Sequence, residues 1–191
     1  MTSLIIRITR RWSRAGVIEK ADEDIYEYGL ELLIFTIINL AAILVSSAFT
    51  GKFLESLALL AVILPLQSFG GGFHAKTHLR CFLIMYIGWW SVIFILPLIT
   101  TTVSIIMASA AVIIVFALAP VANENVKMSA RQRRKMRLLV RIVAATGALV
   151  SAFFIYGLYK RIGIAMSMGL GITGLSMLIA RGKNIANGIF V

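Results

Sequence analysis

"LELLIFTIINLAAILVSSAF", Leu30 to Phe49, carries one charged side chain, Glu31, in its whole length. A run of this kind matches the about 20 apolar residues that an α-helix needs to cross a hydrocarbon core of roughly 30 Å. Five further runs follow it, at approximately Phe53 to Phe69, Phe82 to Thr100, Val103 to Ala122, Leu138 to Tyr159 and Ile162 to Ala180. The expected fold is an all-α integral membrane protein with six transmembrane helices, forming a single membrane-embedded domain over residues 1–191. Composition agrees, because 60% hydrophobic and 14% charged residues cannot clothe a soluble domain in polar surface. Pro65, near the end of the second run, removes an N–H and crowds the carbonyl of Ala61, so a kink is expected there.

The N-terminus is basic and precedes an apolar run, as in a secretory signal. That run begins only near residue 30, is too long, and lacks a small-residue cleavage site, so a signal peptide is not expected. Leu4, Ile8 and Trp12 instead recur at helical spacing, with Arg7, Arg10, Arg11 and Arg14 on the other face. Residues 1–29 therefore read as an amphipathic segment lying in the lipid interface, the alternative being a solvated basic tail. Glu19, Asp22, Glu23, Asp24, Glu27 and Glu31, which follow, hold six of the eight acids.

The net charge of +11 is unevenly placed. With both termini inside, only Lys52, Lys160 and Arg161 fall outside, leaving 16 of the 19 cations on the cytoplasmic face. The positive-inside rule favours that orientation in a bacterial cell membrane. The loop Asn123 to Arg137, "NENVKMSARQRRKMR", is the most basic excursion. It suits anionic headgroups or an acidic peptide, and such runs more often set topology than bind. Nucleic acid is not an expected partner, since the loop is short, lacks interleaved aromatics and sits against a membrane.

Gly169, Gly171 and Gly174 in "GLGITG" match a dinucleotide-binding pattern letter for letter, but inside an apolar run with no preceding strand. Close helix packing explains them better, and small residues in the last two spans would also permit a homodimer. No cofactor and no metal is expected. Ionisable groups are scarce within the spans: Arg141 and Glu55 lie near ends, and Asn39 is the conspicuous polar residue. A coupled transporter normally needs more than this.

"SFGGGFHAKTHLRC", Ser68 to Cys81, concentrates three glycines, both histidines and the sole cysteine. Gly70, Gly71 and Gly72 allow a tight backbone turn at the membrane surface. Thr77 is a plausible N-cap for the next helix, which places Cys81 in or just after its first turn. The helix dipole, Lys76 and Arg80 would each favour the thiolate, and a reducing cytoplasm keeps it from oxidation. A nucleophilic thiol also needs a base. On a straight helix His78, three residues before Cys81, shares its face, whereas His74 lies seven residues away, roughly 10 Å along the axis. Spacing alone selects His78 unless the chain after the glycines folds His74 back. A small packing cysteine beside interfacial histidines is the simpler alternative.

The segment Gly70 to Cys81 resembles the signature of the accessory gene regulator B family, AgrB, through Gly71, Gly72, His74, Ala75 and Cys81. Length, six spans and basic loops are similar across the chain. The resemblance implies a membrane cysteine endopeptidase that processes a quorum-sensing propeptide of Gram-positive bacteria, with Cys81 as nucleophile and His74 as base. It implies an acyl-enzyme thioester, then cyclisation to a thiolactone, and a substrate with an amphipathic leader and an acidic tail. Such a tail would suit Lys127, Arg131, Arg133, Arg134, Lys135 and Arg137. Gln67, Ser68 and His78 are candidate supporting residues, with no third catalytic member assigned. A non-catalytic transporter or peptide exporter with a glycine-rich hinge, and a scaffold recruiting partners through its basic loop, are the alternatives.

Overall fold

The computed structural model describes residues 2–73, 77–121 and 129–186, and among them every regular element is a helix. The elements are α1 (Thr2–Arg14), α2 (Glu23–Phe49), α3 (Phe53–Gly70), α4 (His78–Ile95), α5 (Thr101–Leu118), α6 (Ala130–Tyr156) and α7 (Lys160–Ala186). α2 to α7 are each long and apolar enough to cross a membrane. The expected interfacial helix is α1. Its Ile5 and Thr9 are buried and its arginines exposed. Thr9 donates to Glu27 Oε1 at 3.0 Å, which ties α1 to the start of α2. Leu4 and Trp12 are exposed and so remain available to lipid.

Several boundaries differ from hydropathy alone. α2 starts at Glu23 rather than Leu30, because Glu23 and Asp24 in its first turn suit the positive end of the helix dipole. The fourth span ends at Leu118, where Pro120 cannot continue the ladder. Pro120 has no N–H for the Phe116 carbonyl, and Arg141 Nη2 of α6 supplies that bond with its guanidinium 5.3 Å from the Phe116 ring centroid. Arg141 thus does more than reach for the interface. The basic stretch expected as a loop is helical from Ala130 onward. Ser129 and Gln132 form a capping box, and the following Arg, Lys, Met and Leu are good helix formers.

α7 is the axis of the bundle. It packs against α3, α5 and α6, and most of its middle is buried. Its small residues permit this. A Cβ at Gly169 would lie 3.1 Å from Leu59 O, and one at Gly174 would lie 3.3 Å from Ala111 Cα. Gly163 passes closer still to the backbone of α6, where Ser151 Oγ donates to its carbonyl at 2.8 Å and pairs with Ser167 Oγ at 2.6 Å. The glycines of "GLGITG" therefore serve packing inside one chain. α2 and α4 pack on one another outside this group, joined by Tyr86 OH and Ser46 Oγ at 2.8 Å. Asn39 is buried in α2, and its Oδ1 makes no hydrogen bond among the described residues.

The helices alternate in direction, so the bundle has two unlike ends. One carries α1, the start of α2, Gly70 to Phe73, the basic start of α6, and Arg181 and Lys183 near the end of α7. Of the cations among the described residues, the other end carries Lys52, Lys160 and Arg161, with Lys52 Nζ 3.8 Å from Glu55 Oε1.

Candidate functional site

The glycine segment is clamped at the basic end. α3 ends at Gly70, whose carbonyl accepts from Val121 N at 2.9 Å. Gly71 has φ 71°, and a Cβ there would sit 2.8 Å from Val121 O, so any side chain meets both strain and a backbone clash. A Cβ on Gly72 would sit 2.7 Å from Ser176 Oγ of α7. Phe73 N then donates to that same oxygen at 2.9 Å. The chain from Gly70 to Phe73 is thus held between α7 and Val121.

Thr77 caps α4 as expected, with its Oγ1 accepting from Arg80 N at 3.3 Å and its carbonyl accepting from Cys81 N at 3.0 Å. Cys81 therefore ends the first turn of the helix, half-buried and in no disulfide. His78 is the first residue of α4, so its backbone stands three positions before Cys81 on the same helix. Its side chain, His74, Ala75, Lys76 and Lys127 lie outside the described residues.

Cys81 lines a cleft of about 220 Å³ between α3, α4 and α7. Gln67 from α3, and Phe73 and Ser176, line it with Cys81 at the basic end. Deeper in, Ile63, Leu59 and Trp89 make apolar walls. Trp89 is held by its indole N–H, which donates to buried Ser56 Oγ at 2.8 Å. The rings of Phe82, Tyr86 and Trp89 stack in series along α4, and the Tyr86–Ser46 bond joins that helix to α2. Of the two candidate supports on α3, the structure brings Gln67 to the thiol's cleft and leaves Ser68 exposed on another face. Ser176 escaped sequence reasoning. A serine in an apolar span reads as a small packing residue, and nothing local connects it with residues 72 and 73.

Arg131, Arg134, Lys135 and Arg137 are exposed, Arg133 is half-buried, and together they line one basic surface on the first turns of α6. Val140 of the same helix contacts Gly70, within reach of where a Cβ would stand. At 1.5 Å per residue, the ten residues before Val140 project about 15 Å beyond it along the helix axis. The basic surface therefore begins at the level of the glycine segment and extends outward from the bundle.

A half-buried thiol in the first turn of a capped helix, at the polar end of an apolar cleft and on the same end of the bundle as the basic start of α6, is a group that a neighbouring base would turn into a nucleophile. The fold defines a multi-pass helical membrane protein. Over residues 5–179 the chain matches the model of AgrB, accessory gene regulator B, and it belongs to that family. Membership supports a role in accessory-gene-regulator quorum sensing at the level of propeptide processing, the family being known for peptidase activity. Comparison with curated proteins and with solved structures returned no match.

Proposed function

We propose that this protein is a membrane cysteine endopeptidase that cleaves a small autoinducing-peptide precursor and closes it into a thiolactone. The observation that carries this reading is Cys81 at the start of α4, lining the cleft where Gln67 and Ser176 meet, in a chain of the AgrB family. His74 takes the thiol proton, and Cys81 Sγ attacks the scissile carbonyl. The C–N bond breaks, the amine of the tail leaves with the proton held by His74, and the leader stays on Cys81 as a thioester. A substrate thiol then gives up its proton, attacks that carbonyl and returns the Cys81 thiol. One thioester replaces another, so the second step is close to balanced and needs no ATP.

The charge pattern supports the orientation. The end that holds Cys81 is the basic one, and the positive-inside rule places it, with both termini, in the cytoplasm of a bacterial cell. Arg131, Arg133, Arg134, Lys135 and Arg137, with Lys127, hold the acidic tail of the precursor. Glycine clamping by Val121 and Ser176 argues against a hinged exporter.

Co-expression with candidate precursor peptides tests the assignment by mass spectrometry of the peptides. Wild type and His78→Ala release the tail, while Cys81→Ala and His74→Ala do not. Cleavage that survives Cys81→Ala would end the proposal. Loss in His78→Ala with retention in His74→Ala would keep the thiol and transfer the base to His78.

A further inference from the structure

The cleft at Cys81 continues well past the thiol. Its α4 wall is Cys81, Ile84, Met85 and Gly88, spaced i, i+3, i+4 and i+7 on one helix face. Seven residues carry it about 10 Å into the bundle. Ile84 is 53% exposed and Leu175 of α7 57%, and both line the cleft, so it opens sideways between α4 and α7. Its volume of about 220 Å³ exceeds the roughly 150 Å³ of an apolar cavity that accepts benzene. One aromatic or large aliphatic side chain fits.

We propose that this cleft is the acyl-side specificity pocket, receiving a large apolar side chain from the peptide residue whose carbonyl Cys81 attacks. The inference rests on the endopeptidase reading. It favours a peptide side chain over a lipid chain because the polar side chains of the lining, Gln67 and Ser176, gather at the thiol's end. A peptide backbone needs hydrogen-bond partners there, whereas an acyl chain needs none. A charged side chain would lose its water inside apolar walls, and a methyl group would leave them unfilled.

Gly88 supplies the test, because a Cβ added to it meets nothing within 4 Å. Gly88→Leu therefore has open space for its Cβ and directs the rest of its side chain into the cleft, and it replaces a poor helix former. The full chain in detergent is treated with acetyl-Ala-Ala-X-chloromethyl ketones in which X is Phe, Leu, Ala or Asp. Alkylation of Cys81, the sole cysteine, forms an S–C bond, releases chloride and the thiol proton, and is followed by intact mass. Iodoacetamide reports thiol reactivity without a side chain.

The Phe and Leu reagents should label wild type about 10- to 100-fold faster than the Ala reagent. Gly88→Leu should abolish that preference and keep the iodoacetamide rate. Met85→Ala should move the optimum toward larger X, which keeps the test open should Gly88→Leu fail to fold. Equal rates for every X, with iodoacetamide reactive, would overturn the pocket and leave the endopeptidase standing. A preference that persists in Gly88→Leu would show partition into the micelle and also overturn it. A thiol inert to every reagent would overturn the endopeptidase reading, and the pocket with it.

Discussion

Phe73 and Ser176 stand 103 residues apart in sequence, yet one hydroxyl both accepts the Phe73 N–H and closes the space beside Gly72. Gly72→Ala should destabilise the protein by about 1–3 kcal/mol through overpacking. Ser176→Ala should cost about 1–3 kcal/mol by leaving that N–H without its acceptor. In the double variant the clash is gone, since Ser176 Cβ lies 3.7 Å from the added methyl. The two losses should then fall short of additive by at least about 0.5 kcal/mol in thermal unfolding in detergent. Strict additivity would mean that the residues do not meet. At this scale the sequence shows which residue types are unusual but not which ones meet. Gln67 repeats the phase of Ile63 and Leu59 along α3, so helical spacing puts the three on one face and Ser68 on another, but only the packed bundle shows that this face borders the thiol. Ser176 was not legible, because its partners come from a turn that only the packed bundle brings near.

α6 is 27 residues long, against the about 20 that a membrane requires. The surplus is the charged part, which hydropathy hides, although the Ser129 and Gln132 capping box marks it in the sequence. A helix holds its cations in fixed register, so under the proposed function the surface on Arg131, Arg133 and Arg134 would act on an acidic tail as a rigid electrostatic clamp rather than a loose tether. Replacing these three with glutamine should slow processing of an acidic-tailed precursor several-fold at low salt and much less at high salt, since screening shortens from about 30 Å at 0.01 M to about 10 Å at 0.1 M. Processing rates unaltered at both salt concentrations would remove the clamp. α7 shows the opposite case. Its glycines signalled close packing from sequence, but their partners, Leu59 on α3 and Ala111 on α5, follow from the assembled bundle and not from any local pattern.

Across the whole molecule, hydropathy alone located all six spans, because each must be satisfied by lipid on its own length before it packs. The arrangement around α7 was beyond it, since any of six apolar helices is a plausible centre until side-chain size at each contact is known. The gathering of cations at the end that holds Cys81 is a property of the assembly, and it predicts sidedness. In inverted membrane vesicles a membrane-impermeant maleimide should label Cys81, the sole cysteine, and in right-side-out vesicles it should not. Labelling from the outside would reverse the topology. The most direct test of the central claim, that Cys81 forms an acyl-enzyme thioester, is the intact mass of the purified protein after incubation with its precursor. The account predicts an adduct equal to the precursor without its tail, removed by hydroxylamine, present on His78→Ala and absent from Cys81→Ala and His74→Ala. Release of the tail by Cys81→Ala at the wild-type rate would contradict it.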